Sequence, residues 1–388
     1  MKRLAMILAL LATPLAAQVE QGRPNADFEP AFPSQTRAPA LEETPVQAEW
    51  LARGLEHPWG IAVLSDGRFL VTERPGRMRL IGPGGASGPI EGVPEVDARR
   101  QGGLLDVTVR DDFDQTRQVW WTYAKRVTGG TVTAAATGTL SADGSRMEDA
   151  RDIFVQEPPS RNPMHYGSRI VFGPDGVAHI TTGEHFSRAD RQLAQDLDTT
   201  YGKVVRVTPE GEVPPDNPFV GREGLDTIWS YGHRNMQGAA IGPQGQLWTI
   251  EHGPAGGDEL NRPLPGRNYG WPVISYGVNY NRSSVGSGQA VREAMEQPVY
   301  YWDPVIAPGG MMFHNGRGGF DWAGDLLIGS LNPGGLVRLR FAQGRVAGEE
   351  RLLRDIGRVR DVEVLDDGTV LLLIDAPDGG VMRVRPAG

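Results

Sequence analysis

An all-β fold, a six-bladed β-propeller with long inserted loops, is the architecture this sequence predicts. One pattern of strand, tight turn and strand recurs six times at irregular spacings of roughly 45 to 70 residues, which suits repeated blades better than a sandwich of unlike hairpins. The 52 glycines and 30 prolines among the 388 residues are spread between apolar runs, as many tight turns require. A third strand is legible after several copies, as in Lys203-Val-Val-Arg-Val207, Leu336-Val-Arg-Leu-Arg340 and Val381-Met-Arg-Val384.

In chain order, Met-Lys-Arg precedes an apolar run from Leu4 to Leu15 and then Ala16-Ala17-Gln18. This is the pattern of a secretory signal peptide (residues 1–17) cleaved after Ala17, and the run is short for a membrane span. Export to the periplasm or medium is expected. Residues 18–45 are rich in Pro, Ala, Gln and Glu without periodicity and read as an extended arm. The propeller is expected over residues 46–388, with Val46 to Leu55 closing the ring by adding a strand to the last blade.

The six copies then follow. Trp59 to Glu73 is a strand, an Asp-Gly turn and a strand, with Gly76 to Ile81 as the next strand. Leu104 to Tyr123 is a looser copy. Residues 167–184 and 238–251 repeat the first grammar, Met311 to Ser330 is loose again, and Val362 to Asp375 closes the series. Since equivalent loops of all blades converge at one mouth of a propeller channel, unusual residues at equivalent blade positions can share a site.

Net charge −9 with no basic run argues against nucleic acid as a partner, and the absence of cysteine leaves the fold to its core. There is no zinc spacing, no G-x-S-x-G and no P-loop. Two polar clusters flank one strand: Ser230-Tyr-Gly-His-Arg-Asn-Met-Gln-Gly238 and Glu251-His-Gly-Pro-Ala-Gly-Gly-Asp-Glu259. Other unusual loops are Gln101-Gly-Gly-Leu-Leu-Asp106, Arg161-Asn-Pro-Met-His165-Tyr-Gly-Ser-Arg169, Gly183-Glu184-His185, Tyr300-Tyr301-Trp302-Asp303 and Arg358-Val-Arg360-Asp361. His165 with Glu184 reads as a general base whose tautomer a carboxylate fixes. Arg234 beside Asn235 offers a fixed cation and an amide for a developing oxyanion. Arg358 and Arg360, on one side of a strand at period two, suit an anionic ligand. The Gly253-Pro254 turn leaves backbone carbonyls beside Glu251, Asp258 and Glu259, hard oxygens that suit Ca²⁺. His179, His185 and His314 read as surface or packing residues, and Arg169, Arg338 and Arg383 as solvated strand residues.

Taken together, Gln101-Gly-Gly-Leu-Leu, His165 before Gly-Ser-Arg, Gly-His-Arg-Asn-Met-Gln-Gly, Glu-His-Gly-Pro-Ala-Gly-Gly-Asp-Glu-Leu-Asn and Asn268-Tyr-Gly-Trp-Pro272 resemble the soluble PQQ-dependent sugar dehydrogenases, in their bacterial aldose sugar dehydrogenase branch. The likeness runs from about Val46 to the C-terminus. It implies pyrroloquinoline quinone (PQQ) and Ca²⁺ at the channel mouth, and oxidation of an aldose at C1 to the lactone. In that picture His165 takes the C1 hydroxyl proton while a hydride passes to the quinone, with Glu184 as its acidic partner. Gln101, Arg234, Asn235, Arg358 and Arg360 match positions that hold the quinone's oxygens and carboxylates. The Gly253 and Pro254 carbonyls match Ca²⁺ ligands, and His252, Asp258, Tyr301 and Trp302 stand where sugar contacts are expected. Two positions depart from the glucose enzymes of this family: Asn332 replaces a cofactor-contacting lysine, in a chain whose only lysines are Lys2, Lys125 and Lys203, and His252 replaces a glutamine. A cytochrome or membrane quinone is the expected electron acceptor. A Ca²⁺-dependent propeller lactonase and a non-catalytic binding propeller stay open as alternatives.

Overall fold

A computed structural model describes residues 17–387. The predicted signal peptide therefore lies, but for Ala17, outside the described residues. Six four-stranded antiparallel sheets make up almost all of the regular structure. The first strands of the blades are Pro58–Val63, Leu104–Val109, Gly167–Phe172, Met236–Ile241, Pro308–Phe313 and Val359–Val364. Each contacts the first strand of the next blade, and the sixth returns to the first, so these strands ring the channel. Val46–Leu55 pairs antiparallel with Gly379–Pro386 and completes the sixth blade, as expected from the sequence.

Close approach at the axis depends on missing side chains. A Cβ on Gly60 would stand 2.9 Å from the Asp106 Cα of the next blade, and one on Gly238 would stand 2.6 Å from the Gly309 carbonyl. Apolar cores fill the spaces between blades. Leu70, Met78 and Leu80 pack on Val107, Val119 and Trp121, and Ile250, Leu260 and Trp302 pack on Met311, Leu326 and Ile328.

All six inner strands share a break of register near their first residues, for example between Pro58 and Ile61, Gly167 and Ile170, and Val359 and Asp361. An irregularity of this kind bends a strand and re-aims its side chains. Because the sheets are antiparallel, the starts of the inner strands and the ends of the second strands share one rim. His165, Asn235 and Arg358 immediately precede inner strands or their first pairs, while Glu184, His252 and Asp375 follow second strands.

Two of the three arginines expected to be solvated prove otherwise. Arg169 is 4% exposed and its Nη1 donates to Asp106 (2.7 Å) and Asp361 (2.8 Å), while its guanidinium lies 4.3 Å over the Trp59 ring. Arg338 is equally buried between Asp325 and Glu350, on the far side of blade 5. Strand alternation put both on one face, but that face turns inward toward carboxylates of other strands. Arg383 does sit at the surface, paired with Glu49. Arg169→Met would leave two buried carboxylates without their cation, so a loss of about 3–5 kcal/mol of unfolding free energy is expected in urea titration.

Candidate active site

The rim residues, among them Gln101, Asn235, His252 and Arg358 singled out in the sequence, do two things at once: they point into one mouth of the channel and stitch neighbouring blades together. Arg74 Nε donates to the Gly102 carbonyl across blades 1 and 2. Gln101 Oε1 accepts from the His165 backbone N–H (2.8 Å) across blades 2 and 3. Asn235 Oδ1 accepts from the Gly167 N–H (3.0 Å) across blades 3 and 4. His252 Nε2 donates to the Pro308 carbonyl (2.7 Å) across blades 4 and 5. Arg358 Nη1 donates to the Leu331 carbonyl (3.1 Å) across blades 5 and 6, and Asp375 bonds His57 Nδ1 (2.8 Å) to close the ring. A site shared among six blades is thereby held without relying on any one loop.

His165 occupies the left-handed region (φ 47°), which non-glycine residues rarely enter. Its buried ring places Nδ1 2.9 Å from Glu184 Oε1 and packs edge-on against Phe186. Nε2 has no partner among the described residues. Burial, reinforced by the positive charge of Arg234, holds the His165 pKa well below the usual histidine value. Burial pushes the Glu184 carboxyl up to about 7 against the opposing pull of Arg234 and of the Phe186 N–H. An ionised Glu184 accepts Nδ1–H and leaves the Nε2 lone pair free, the state of a general base.

Three anchors fix Arg234. Its backbone N–H meets Glu251, its Nη1 donates to the His252 carbonyl (2.9 Å), and its guanidinium lies 5.1 Å from the Trp271 ring centre. Arg360 donates to Gln237 Oε1 (2.7 Å) and Asp375 Oδ2 (2.8 Å), and the half-exposed Arg358 also reaches Asp375 Oδ2 (3.3 Å). Arg358 lies just before the strand that begins at Val359, so the two arginines converge through Asp375 as well as through strand alternation. Burial opposes ionisation of Asp375, but Arg360, His57 and Arg358 outweigh it and keep the carboxyl well below its usual range. One carboxylate is shared by several cations, with Arg74 near enough to feel both Asp375 and Arg358.

The Gly253–Gly257 loop is tied down from two sides. Asp258 Oδ1 accepts from the Gly253 N–H, and Ala255 exchanges backbone bonds with Val278. The carbonyls of Gly253 and Pro254 accept no hydrogen bond from the described residues. A cleft of about 660 Å³ opens beside them, lined by Glu184, Phe186, Arg191, Arg234, Pro254, Trp271, Asn279 and Tyr280. His252 adjoins it, partly buried; burial and then the charge of Arg234 hold its pKa down to about 3, so the ring is neutral.

Three residues expected to touch substrate lie elsewhere. Asp258 is fully buried and its two oxygens are taken by the N–H groups of Gly253, Ile306 and Ala307. Tyr301 stacks on Tyr276 at 3.9 Å, and Trp302 is fully buried with its Nε1 donating to Glu349 (3.2 Å). Glu251 is likewise committed, to His233, Arg234 and Asn261. In their place the cleft presents aromatics that sequence reasoning had not assigned: Phe186 and Tyr280, 38% and 63% exposed and 6.2 Å apart, with Trp271 behind them. Trp271 sits in a motif already noted, and Phe186 follows Glu184-His185 directly. Tyr280 stands in a long insertion with no local signal. Of the two places the sequence allowed His179, His185 and His314, surface or packing, all three take the second and are buried.

Known proteins resemble this chain over most of its length. A family model for glucose/sorbosone dehydrogenases matches residues 55–383. The aldose sugar dehydrogenase YliI of Escherichia coli (strain K12) is 41% identical over 348 residues, covering 88% of this chain and 93% of that protein. The chain belongs to the soluble PQQ-dependent sugar dehydrogenase family. Among solved structures, a crystal structure of a glucose dehydrogenase is 43% identical with a TM-score of 0.85, covering 88% of this chain and 100% of that one. The PQQ-bound aldose sugar dehydrogenase of Streptomyces coelicolor is 26% identical with a TM-score of 0.74, covering 90% and 99%.

The residues of this sugar dehydrogenase fit the family's cofactor. PQQ is a flat quinone bearing carboxylates, so it requires fixed cations that have donors to spare. Among the described residues, buried Arg234 Nε and Arg360 Nε have no acceptor. An unsatisfied buried donor costs about 1–3 kcal/mol, which an anionic ligand at this mouth would recover. Asn332, where a lysine was expected, is exposed next to the Leu331 carbonyl that Arg358 holds. Its short side chain brings no charge to the rim.

Proposed function

We propose that this chain oxidises aldose sugars at C1 to the corresponding lactones, with PQQ as bound oxidant and Ca²⁺ beside it. The observation that carries the reading is the buried His165–Glu184 pair facing the same mouth as two buried arginine nitrogens without acceptors. When bound, PQQ supplies the two-electron acceptor for the hydride of C1. His165 Nε2 accepts the proton of the C1 hydroxyl, and Glu184 holds the Nδ1–H and stabilises the imidazolium that forms. Gln101 fixes the His165 backbone. Arg234, Asn235, Arg358 and Arg360 would hold the cofactor's oxygens and carboxylates, with Arg234 also set to stabilise negative charge as it develops. The Gly253 and Pro254 carbonyls would contribute to a Ca²⁺ site. No group of three or more His, Asp or Glu forms a metal cage among the described residues, so the remaining ligands would be cofactor oxygens and water. Asp258, Tyr301 and Trp302 are not retained as substrate contacts; His252 is, through its free Nδ1.

The test is dye-linked oxidation of a panel of aldoses by purified apoprotein, with and without PQQ and Ca²⁺. Activity that requires both supports the reading. Hydrolysis of lactones without PQQ would support the lactonase alternative, and PQQ binding without turnover the binding propeller. The leader predicts a periplasmic or secreted enzyme, checked by the N-terminal residue of the exported protein. Reoxidation would fall to an acceptor such as a cytochrome or quinone.

The carboxyl of Glu184 makes the reaction pH-dependent with a definite sign. Below about 7 it is protonated, donates to His165 Nδ1 and leaves the proton on Nε2, the wrong tautomer for a base. Activity is therefore expected to rise with pH through about 7. Glu184→Gln, whose amide oxygen still accepts Nδ1–H, is expected to flatten that limb and lower kcat about tenfold, read from pH–rate profiles.

A further inference from the structure

Residues 18–45 were expected to be an extended arm, and they lie outside the family match, which begins at residue 55. They run along the outer strand Arg345–Leu352 of blade 5, where the Leu41 N–H donates to the Glu349 carbonyl (3.0 Å) and the Thr44 hydroxyl donates to Glu350 (3.1 Å), and they also reach the root of the insertion that walls the cleft. That insertion runs from residue 262 to 299, between the strands Asp258–Asn261 and Tyr300–Trp302 of blade 4. It carries Trp271, Asn279 and Tyr280.

Gln35 is fully buried and ties the middle of the insertion to its C-terminal end. Its Oε1 accepts from Tyr276 OH (3.0 Å), its Nε2 donates to the Pro298 carbonyl (3.0 Å), and its carbonyl accepts from the Tyr301 N–H (2.8 Å). Phe28 packs edge-on against Tyr276, which stacks on Tyr301. Further out, the backbone N–H groups of Asn25 and Ala26 and the Asn25 amide all donate to the buried Asp303 carboxylate (2.8–2.9 Å). Asn25 Oδ1 accepts from Arg282 (2.8 Å), on the tip of the insertion. From there the contacts continue inward. Val278 and Ala255 exchange backbone hydrogen bonds (2.9 and 3.1 Å) one residue from the Pro254 carbonyl, and Arg191 reaches Asn279 (3.0 Å) across the cleft.

We propose that the arm is a brace for substrate binding, with Gln35 and Asn25 as positioning residues that set the cleft wall at Asn279–Tyr280 and the Pro254 loop. A long loop without regular strands or helices has many conformations, and ordering it on each binding event would weaken binding. A brace that orders it beforehand should act on KM far more than on kcat. The proposal rests on the aldose-oxidising reading for its kinetic readout only.

The experiment compares the full chain with Gln35→Met and with the double variant Asn25→Ala, Arg282→Ala, the latter changing only partly or fully exposed side chains. Expected are about a tenfold rise in KM for the best aldose, less than a threefold change in kcat, and hydrogen exchange at least about tenfold faster across residues 276–286 with the inner strands unchanged. Unchanged KM and unchanged exchange at 276–286, whatever happens to the melting temperature, would overturn the brace and leave the arm a stabilising cover for blade 5. If the unaltered protein oxidises no aldose, the functional reading fails by itself, and hydrogen exchange still decides the brace.

Discussion

His165→Ala is expected to lower the rate of aldose-driven cofactor reduction by about 1,000-fold, within the range for removing a positioned general base. Three features make this the largest single effect. The residue is held by a backbone bond to Gln101 and a ring bond to Glu184, so its Nε2 has one orientation. Burial and Arg234 keep the ring neutral, so the Nε2 lone pair is available wherever Glu184 is ionised, at and above about pH 7. The neighbouring His185 does not replace it, being fully buried with its nitrogens facing Gln156 Oε1 (2.7 Å) and the Asn162 carbonyl. PQQ binding should survive, because none of the proposed cofactor cations depends on His165. Stopped-flow reduction of bound PQQ by sugar, with equilibrium titration of PQQ as control, checks both halves. His165→Asn, closer in shape and polarity, guards against misfolding around the uncovered Glu184. A residual rate above about a tenth of the original in both variants would remove His165 from the mechanism.

The second large effect concerns affinity. Arg358→Met is expected to weaken PQQ binding about 10- to 100-fold, the loss of a hydrogen bond to a charged group worth about 1.5–3 kcal/mol. Arg358 is the suitable member of the cluster because its side chain is half exposed, and Asp375 keeps Arg360 and His57 as partners without it. Arg360→Met would confuse the measurement, since it strips a buried carboxylate of its nearest cation and opens the Gln237 contact. For Arg358→Met the melting temperature should hardly move, and kcat at saturating PQQ should stay within about threefold. The loss should also shrink in high salt, because an exposed guanidinium is screened. Unchanged PQQ affinity would mean that Arg358 serves only to hold the Leu331 loop.

The sequence was most legible where a physical constraint repeats. Six strand–turn–strand copies are six solutions of the same packing problem, so the pattern survives long insertions, and even the closing strand Val46–Leu55 could be placed. The rim residues were legible for a related reason. A core strand has no use for His165, Glu184, Arg234, Asn235 or Arg358 at its ends, so polar residues there mark either a turn or a site. What failed was the step from residue type to direction. Asp258 and Glu251 look like metal ligands in a list, yet backbone N–H groups and side-chain donors consume their oxygens. Tyr301 and Trp302 look like sugar platforms, yet strand pairing turns them into the packing around blade 4. Arg169 and Arg338 alternate like solvated residues, yet that alternation cannot say that the facing surface is the carboxylate of another strand.

By itself, then, the chain determined the all-β propeller, the number of blades, the gathering of polar residues at one rim, and the pairing of His165 with Glu184, because these depend on periodicity and on which residue types a strand end tolerates. Only the tertiary structure decided which carboxylates remain free, that Phe186, Trp271 and Tyr280 wall the cleft, and that the apparently featureless arm clasps the insertion through Gln35 and Asn25. Those outcomes depend on contacts between residues up to some hundreds of positions apart, such as Asn25 with Asp303 or Arg169 with Asp361. No local pattern encodes such contacts, since each partner is an ordinary polar residue until the closed ring brings the other to it.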